Sequence, residues 1–96
     1  MIVERYTVQV KHGKWDETLE LLEEGRKTIW PFFTCKIYAC NYGPFNTLVV
    51  DNEFEDMADL EKKWEKLSAK KEFDAWYAKW EMVVTEQGSH TLWNVV

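Results

Sequence analysis

This sequence predicts an α+β fold in which strand, helix, strand, strand, helix and strand follow one another, giving a four-stranded antiparallel sheet with both helices on one face. Three observations predict it. Residues 2–10, IVERYTVQV, alternate with the period of a strand, and three further short segments read as strands from their β-branched and aromatic content and flanking turn residues. Between them lie two stretches whose apolar residues recur at helical spacing. Finally, 96 residues and 11.5 kDa leave room for one domain, residues 1–96, while 46% hydrophobic and 30% charged residues fit a globular chain.

In the first strand Glu4, Tyr6, Val8 and Val10 share one face, and Val3, Arg5, Thr7 and Gln9 share the other. Val10 leads directly into the turn Lys11–Lys14, which puts the Tyr6–Val8–Val10 face toward the helices. A helix follows, with Trp15, Leu19, Leu22, Arg26 and Ile29 as its stripe, acids near its start, and Arg26 and Lys27 near its end to suit the helix dipole. Pro31 stops it, and the apolar exit Trp30-Pro31-Phe32-Phe33 is expected to pack rather than hang free. Residues 34–40 and 47–54 form an antiparallel hairpin around Asn41-Tyr42-Gly43-Pro44. Asp56 caps the next helix, with Asp59 at its third position. Met57, Leu60, Trp64 and Leu67 form a stripe there and, after a break near Ser68–Lys71, Phe73, Trp76, Tyr77, Trp80, Val83 and Val84 form a wider one. Gln87-Gly88-Ser89 is expected to break the helix, with His90–Val96 as the closing strand.

This order is the ferredoxin-like arrangement, which leaves one sheet face uncovered. Strands two and four read as apolar on both sides: Cys35, Ile37 and Ala39 against Tyr38 and Cys40, and Leu92 against Trp93 and Val95. A two-sided apolar sheet needs a cover, and a second copy of the chain is the simplest one.

Several function classes drop out. A net charge of −5 and a pI near 5.0 argue against a nucleic-acid partner. No stretch approaches the ~18 apolar residues of a membrane helix. Glu4, Arg5, Lys11 and Lys14 near the start leave no secretory signal, so a cytoplasmic address is expected. Cys35 and Cys40 point to opposite faces of one strand and cannot bridge, and no Cys/His spacing suggests a metal site. No phosphate loop or nucleophile motif occurs.

A family resemblance emerges from Glu4-Arg5-Tyr6-Thr7 with Lys11-x-Gly13-Lys14, from Gly43-Pro44-Phe45-Asn46-Thr47-Leu48-Val49-Val50, from Glu53-Phe54, and from Asp59-Leu60-Glu61 ahead of the aromatic helix Phe73–Trp80. Over nearly its whole length the chain resembles NIPSNAP-type domains of the dimeric α/β-barrel superfamily. The resemblance implies a homodimer packed sheet to sheet, with any site lying between each sheet and its own helices. It departs in the first strand, where Tyr6 and Val8 stand in place of the family's Arg and Tyr, and at His12, where the family has Pro.

The candidate pocket residues are Tyr6, Val8, Phe73, Trp76, Tyr77 and Trp80, which aim at one space between sheet and helices. The plainer reading is that they fill the core, but six Trp in 96 residues is more bulk than a thin two-layer core uses. His90, as a base or ligand, lacks a second group at suitable spacing and is read as structural or exposed; His12 is read as exposed. Asp51 and Glu53 share a strand face that can pair with Arg5. No cofactor is expected: relatives in the superfamily bind haem, but no His stands among the inward helix positions to ligate iron. Three functions fit: a homodimer binding a small apolar or aromatic molecule, a cofactor-independent monooxygenase using Tyr6, Trp76 and Trp80 on an aromatic substrate, and a pocketless dimeric interaction module.

Overall fold

The structure, a computed structural model, describes residues 1–96. Strands β1 (Ile2–Val10), β2 (Thr34–Ala39), β3 (Thr47–Phe54) and β4 (Val84–Asn94) form one antiparallel sheet in the order β2-β3-β1-β4. Helices α1 (Trp15–Glu24), α2 (Met57–Ser68) and α3 (Lys71–Val83) complete the ferredoxin-like α+β fold. No helix is long and apolar enough to cross a membrane.

Register determines which side chains meet the helices. Ile2 pairs with Phe54, Glu4 with Asn52, Tyr6 with Val50 and Val8 with Leu48, so the even-numbered residues of both central strands point to one face. Phe54, Leu48 and Val50 are buried there beneath Leu21, Leu22, Ile29, Leu67, Trp76 and Val83. On the opposite face Arg5 holds Asp51 through two bonds, Nε to Oδ1 at 2.8 Å and Nη2 to Oδ2 at 2.9 Å. The geometry is bidentate and raises the Arg5 pKa, chiefly through the hydrogen bond to Asp51. Glu53 does not join it, pairing instead with Lys36 at 3.1 Å.

Several expectations need correction. Leu19 and Met57 are exposed, whereas Leu21 is buried: as α1 lies on the sheet, its covered stripe is Thr18, Leu21 and Leu22. Beyond Glu24 the helix widens to π geometry over Gly25–Ile29, closed by Trp30 N–H donating to Gly25 O at 2.8 Å. This swings Trp30 back over Gly25, where a Cβ would sit 2.1 Å from the indole; only glycine allows that approach. The break expected near Ser68–Lys71 is present, at Ala69-Lys70, and it makes the second helical stretch two helices rather than one. The last helix ends earlier than expected, and β4 begins at Val84 rather than His90. Gln87-Gly88-Ser89 therefore lies inside a strand. Val84 and Thr85 are β-branched and favour extension, and Gly88 (φ +147°) fits because Thr7 O occupies its side-chain position at 2.4 Å. The open face is also less apolar than expected. Cys40 lies beyond β2, and the β2 residues paired with the open side of β3 are Thr34, Lys36 and Tyr38.

The Asp56 cap forms as expected, accepting from Asp59 N–H at 2.8 Å, while Asp59 accepts from Glu55 N–H at 3.0 Å. That backbone bond, followed by the bond from Lys63, holds the Asp59 pKa below its ordinary value.

Candidate functional site

Between the even face of the sheet and the helices lies a cavity of about 310 Å³ lined by twelve residues, eleven of them hydrophobic. β1 contributes Tyr6 and Val8, β3 contributes Val50 and Asn52, and the apolar exit of the first helix contributes Trp30 and Phe33. The roof is Trp64 and Leu67 of α2 with Phe73, Trp76, Tyr77 and Trp80 of α3. All six residues that the sequence aimed at this space, Tyr6, Val8, Phe73, Trp76, Tyr77 and Trp80, are in its wall.

Spacings of three and four residues put Phe73, Trp76, Tyr77 and Trp80 on one side of α3. Their rings form a near-parallel series: Phe73 and Trp76 at 6.2 Å and 12°, Trp76 and Trp80 at 5.1 Å and 18°. Trp30 meets Trp76 edge-on at 4.7 Å and 88°, and Phe33 meets Trp64 at 5.4 Å and 83°. Edge-to-face contacts of this kind are favourable aromatic pairings.

The floor is polar at one point. Glu4, 4% exposed, accepts from Trp64 Nε1 at 2.8 Å, from Asn52 Nδ2 at 3.4 Å and from Tyr6 Oη at 3.3 Å. His90 Nε2 lies 2.9 Å from Glu4 Oε2, and its ring stacks on Tyr6 at 4.2 Å and 6°. Burial, and then the negative charge of Glu4, push the Tyr6 hydroxyl far above its ordinary pKa, so it stays a neutral donor. Trp76 Nε1 donates to Leu21 O at 2.7 Å. One buried side-chain polar atom has no partner, Asn52 Oδ1.

Sequence reasoning missed Glu4 and Asn52. The signal for Glu4 was present, since it shares a strand face with Tyr6 and Val8. Asn52 falls in phase with Leu48 and Val50 and was legible the same way. Trp64 reads from sequence as plain core, but its N–H makes the shortest bond to Glu4. His90 is partly exposed, as expected, and also completes the Glu4 cluster. Cys35 and Cys40 are free thiols; burial raises the Cys35 pKa, which suits packing better than nucleophilic chemistry. A second hollow, between α1 and α3, is lined by Glu17, Glu20, Glu24 and Lys79 among others and is a charged surface seam.

The NIPSNAP family profile matches residues 3–95. Among solved structures, a NIPSNAP domain protein from Burkholderia xenovorans superposes with a TM-score of 0.87 at 20% identity, over 100% of this chain and 95% of its own. A NIPSNAP family protein from Agrobacterium tumefaciens gives 0.85 at 17% identity, over 99% of this chain and 92% of its own. A crystal structure of an antibiotic biosynthesis monooxygenase gives 0.68 at 20% identity, over 100% and 99%. At these identities the likeness to each structure is one of fold. No curated protein matches the sequence.

Proposed function

The chain belongs to the NIPSNAP family, and on that premise we propose that it binds one flat apolar or aromatic molecule in the cavity between its sheet and helices. The observation that carries this reading is the pairing of volume with lining. At about 310 Å³ with eleven of twelve lining residues hydrophobic, the space reaches the lower end of ligand sites, roughly 300–1,000 Å³. Aromatic side chains from three elements, Tyr6, Trp64, Phe73, Tyr77 and Trp80 among them, supply apolar surface for a guest.

The working unit in this proposal is a homodimer, in which a second copy covers the open sheet face. Trp93 and Tyr38, 54% and 48% exposed, and the Arg5–Asp51 and Lys36–Glu53 pairs supply a mixed surface for that contact. Light scattering at micromolar concentration is expected to give twice the 11.5 kDa chain mass; a stable monomer contradicts it.

A neutral aromatic probe, N-phenyl-1-naphthylamine, tests the binding reading. Its fluorescence should rise saturably with one molecule per chain, and Val8→Phe, which fills the cavity from β1, should weaken binding at least tenfold. Absence of saturable binding, or binding indifferent to Val8→Phe, overturns it and favours a pocketless interaction module.

A second reading, cofactor-independent oxygenation of a bound aromatic, draws on the shared fold with the monooxygenase structure and on Tyr6 beside His90. Two of the side chains it would use are already committed, however: the Tyr6 hydroxyl donates to Glu4 and Trp76 N–H donates to Leu21 O. Dioxygen uptake in the presence of a dihydroxynaphthalene would establish it.

A further inference from the structure

We infer that the cavity prefers an aromatic cation, a molecule whose charge lies on a quaternary ring or aryl nitrogen, over a neutral molecule of the same shape, and that aryl carboxylates bind weakest. This rests on the binding reading above and assigns a charge to what that site accepts.

The inference starts from the charges around the cavity. None of the twelve lining residues is charged, but the Glu4 carboxylate stands directly behind two of them. It accepts from Trp64 Nε1 at 2.8 Å and from Tyr6 Oη at 3.3 Å. Glu4 is 4% exposed, and a charge so buried is ordinarily paired with an opposite one. Its one basic partner is His90, Nε2 to Oε2 at 2.9 Å, whose side chain is 55% exposed and charged only when protonated. Glu4 therefore has hydrogen-bond donors but no permanent counter-ion, and in a low-dielectric interior its field extends beyond the rings it touches. Tyr6 registers that field: burial first, and the Glu4 charge second, push its hydroxyl far above the ordinary pKa. A second negative charge is thus disfavoured at this wall.

The wall itself suits a cation. Eight of the twelve lining residues are aromatic, and the face of an aromatic ring is the negative side of its quadrupole. The rings enclose the space at large mutual angles: Trp30 and Trp76 at 88°, Phe33 and Trp64 at 83°, Tyr6 and Trp64 at 61°. The Trp64 N–H and Tyr6 O–H donate to an anion, which polarises both rings and leaves them richer in electrons. A primary ammonium fits this wall poorly, because its three N–H donors need acceptors that eleven hydrophobic residues of twelve do not supply. A quaternary nitrogen brings the charge without the donors. The net charge of −5 favours the approach of a cation as well.

Equilibrium dialysis at pH 8, above the ordinary titration range of imidazoles, tests this with three bicyclic probes of nearly one shape: N-methylquinolinium, 1-methylnaphthalene and 1-naphthoate. Phenyltrimethylammonium against tert-butylbenzene repeats the comparison on a single ring. Each cation should bind at one molecule per chain and at least about tenfold tighter than its neutral partner, with naphthoate the weakest bicyclic probe. The preference should persist in about 0.5 M salt, where attraction to surface charges is screened within a few ångströms. Glu4→Gln keeps the volume of the side chain and an acceptor for Trp64 but removes the charge. In that variant the preference should fall at least about fivefold, with little change in the affinity for 1-methylnaphthalene. If the variant fails to fold, the wild-type comparisons decide the matter alone. A neutral probe binding as tightly as its cation, naphthoate matching N-methylquinolinium, a preference abolished by salt, or one undiminished in Glu4→Gln overturns the inference while leaving the binding reading intact. Failure of all five probes to bind overturns both.

Discussion

Replacing Glu4 with Leu tests whether the buried carboxylate organises the floor of the cavity. The substitution keeps an apolar side chain of similar reach but removes the acceptor for Trp64 Nε1, Asn52 Nδ2 and Tyr6 Oη. Tyr6 and His90 are partly open to solvent and can turn to water at little cost. Asn52 is 5% exposed and Trp64 makes the shortest of these bonds, so two donors are stranded at about 1–3 kcal/mol each. Burying the leucine offsets about 1.5 kcal/mol of that. The net loss should lie between about 0.5 and 4.5 kcal/mol, centred near 2.5 kcal/mol, where it corresponds to a fall in Tm of roughly 10–20 °C for a domain of this size. Denaturant unfolding followed by far-UV circular dichroism, at one fixed protein concentration, measures it free of changes in Trp fluorescence and subunit exchange. Trp64→Phe removes the N–H together with part of the indole; that packing loss occurs in both arms of the cycle Glu4→Leu with Trp64→Phe, so the cycle isolates the central bond. A coupling of about 1–2 kcal/mol is expected. Additivity within about 0.3 kcal/mol, or a Glu4→Leu protein as stable as wild type, refutes the reasoning.

Three further outcomes follow from the same geometry. Tyr6 is held neutral when folded, its pKa raised by burial and by Glu4 above the ordinary 10.0. Its contribution to stability is therefore complete below about pH 10 and lost as pH rises beyond it; Tyr6→Phe should flatten the alkaline limb of the stability profile, and an unchanged limb argues against it. Gly25→Ala should cost about 1–3 kcal/mol by overpacking, since its Cβ would lie 2.1 Å from Trp30, and should displace that indole in a crystal structure. Trp76→Ala, losing a 6% exposed side chain and its bond to Leu21 O, should cost about 3–5 kcal/mol in chemical denaturation. Trp80→Ala, at a residue more open to solvent, should cost less, and equal losses at the two positions would place both in plain core.

The parts of this fold that were legible in the sequence are those decided by local pattern. Alternation placed Tyr6 and Val8 toward the helices, the Asp56 cap announced α2, and three- and four-residue spacing gathered Phe73, Trp76, Tyr77 and Trp80. The misreadings came where a tertiary contact overrides a local signal. Gly88 resembles a breaker, but it is a strand glycine because Thr7 O fills the place of its side chain. The π turn at Gly25–Ile29 leaves no periodic signature; it goes together with the packing of Trp30 across Gly25. Glu4 and Asn52 sit on faces that the alternation assigns to the interior, yet a polar residue there becomes meaningful only once the partner from α2, sixty residues away in sequence from Glu4, is in place.

The central claim is that the space between the sheet and α3 is where a small aromatic molecule binds. A crystal soaked with 6-bromo-2-naphthol and measured at the bromine edge tests it most directly. One anomalous peak per chain is expected inside the cavity, between β1 and the aromatic residues of α3. Bromine found only on the open sheet face or in the groove between α1 and α3, with the cavity empty, contradicts it.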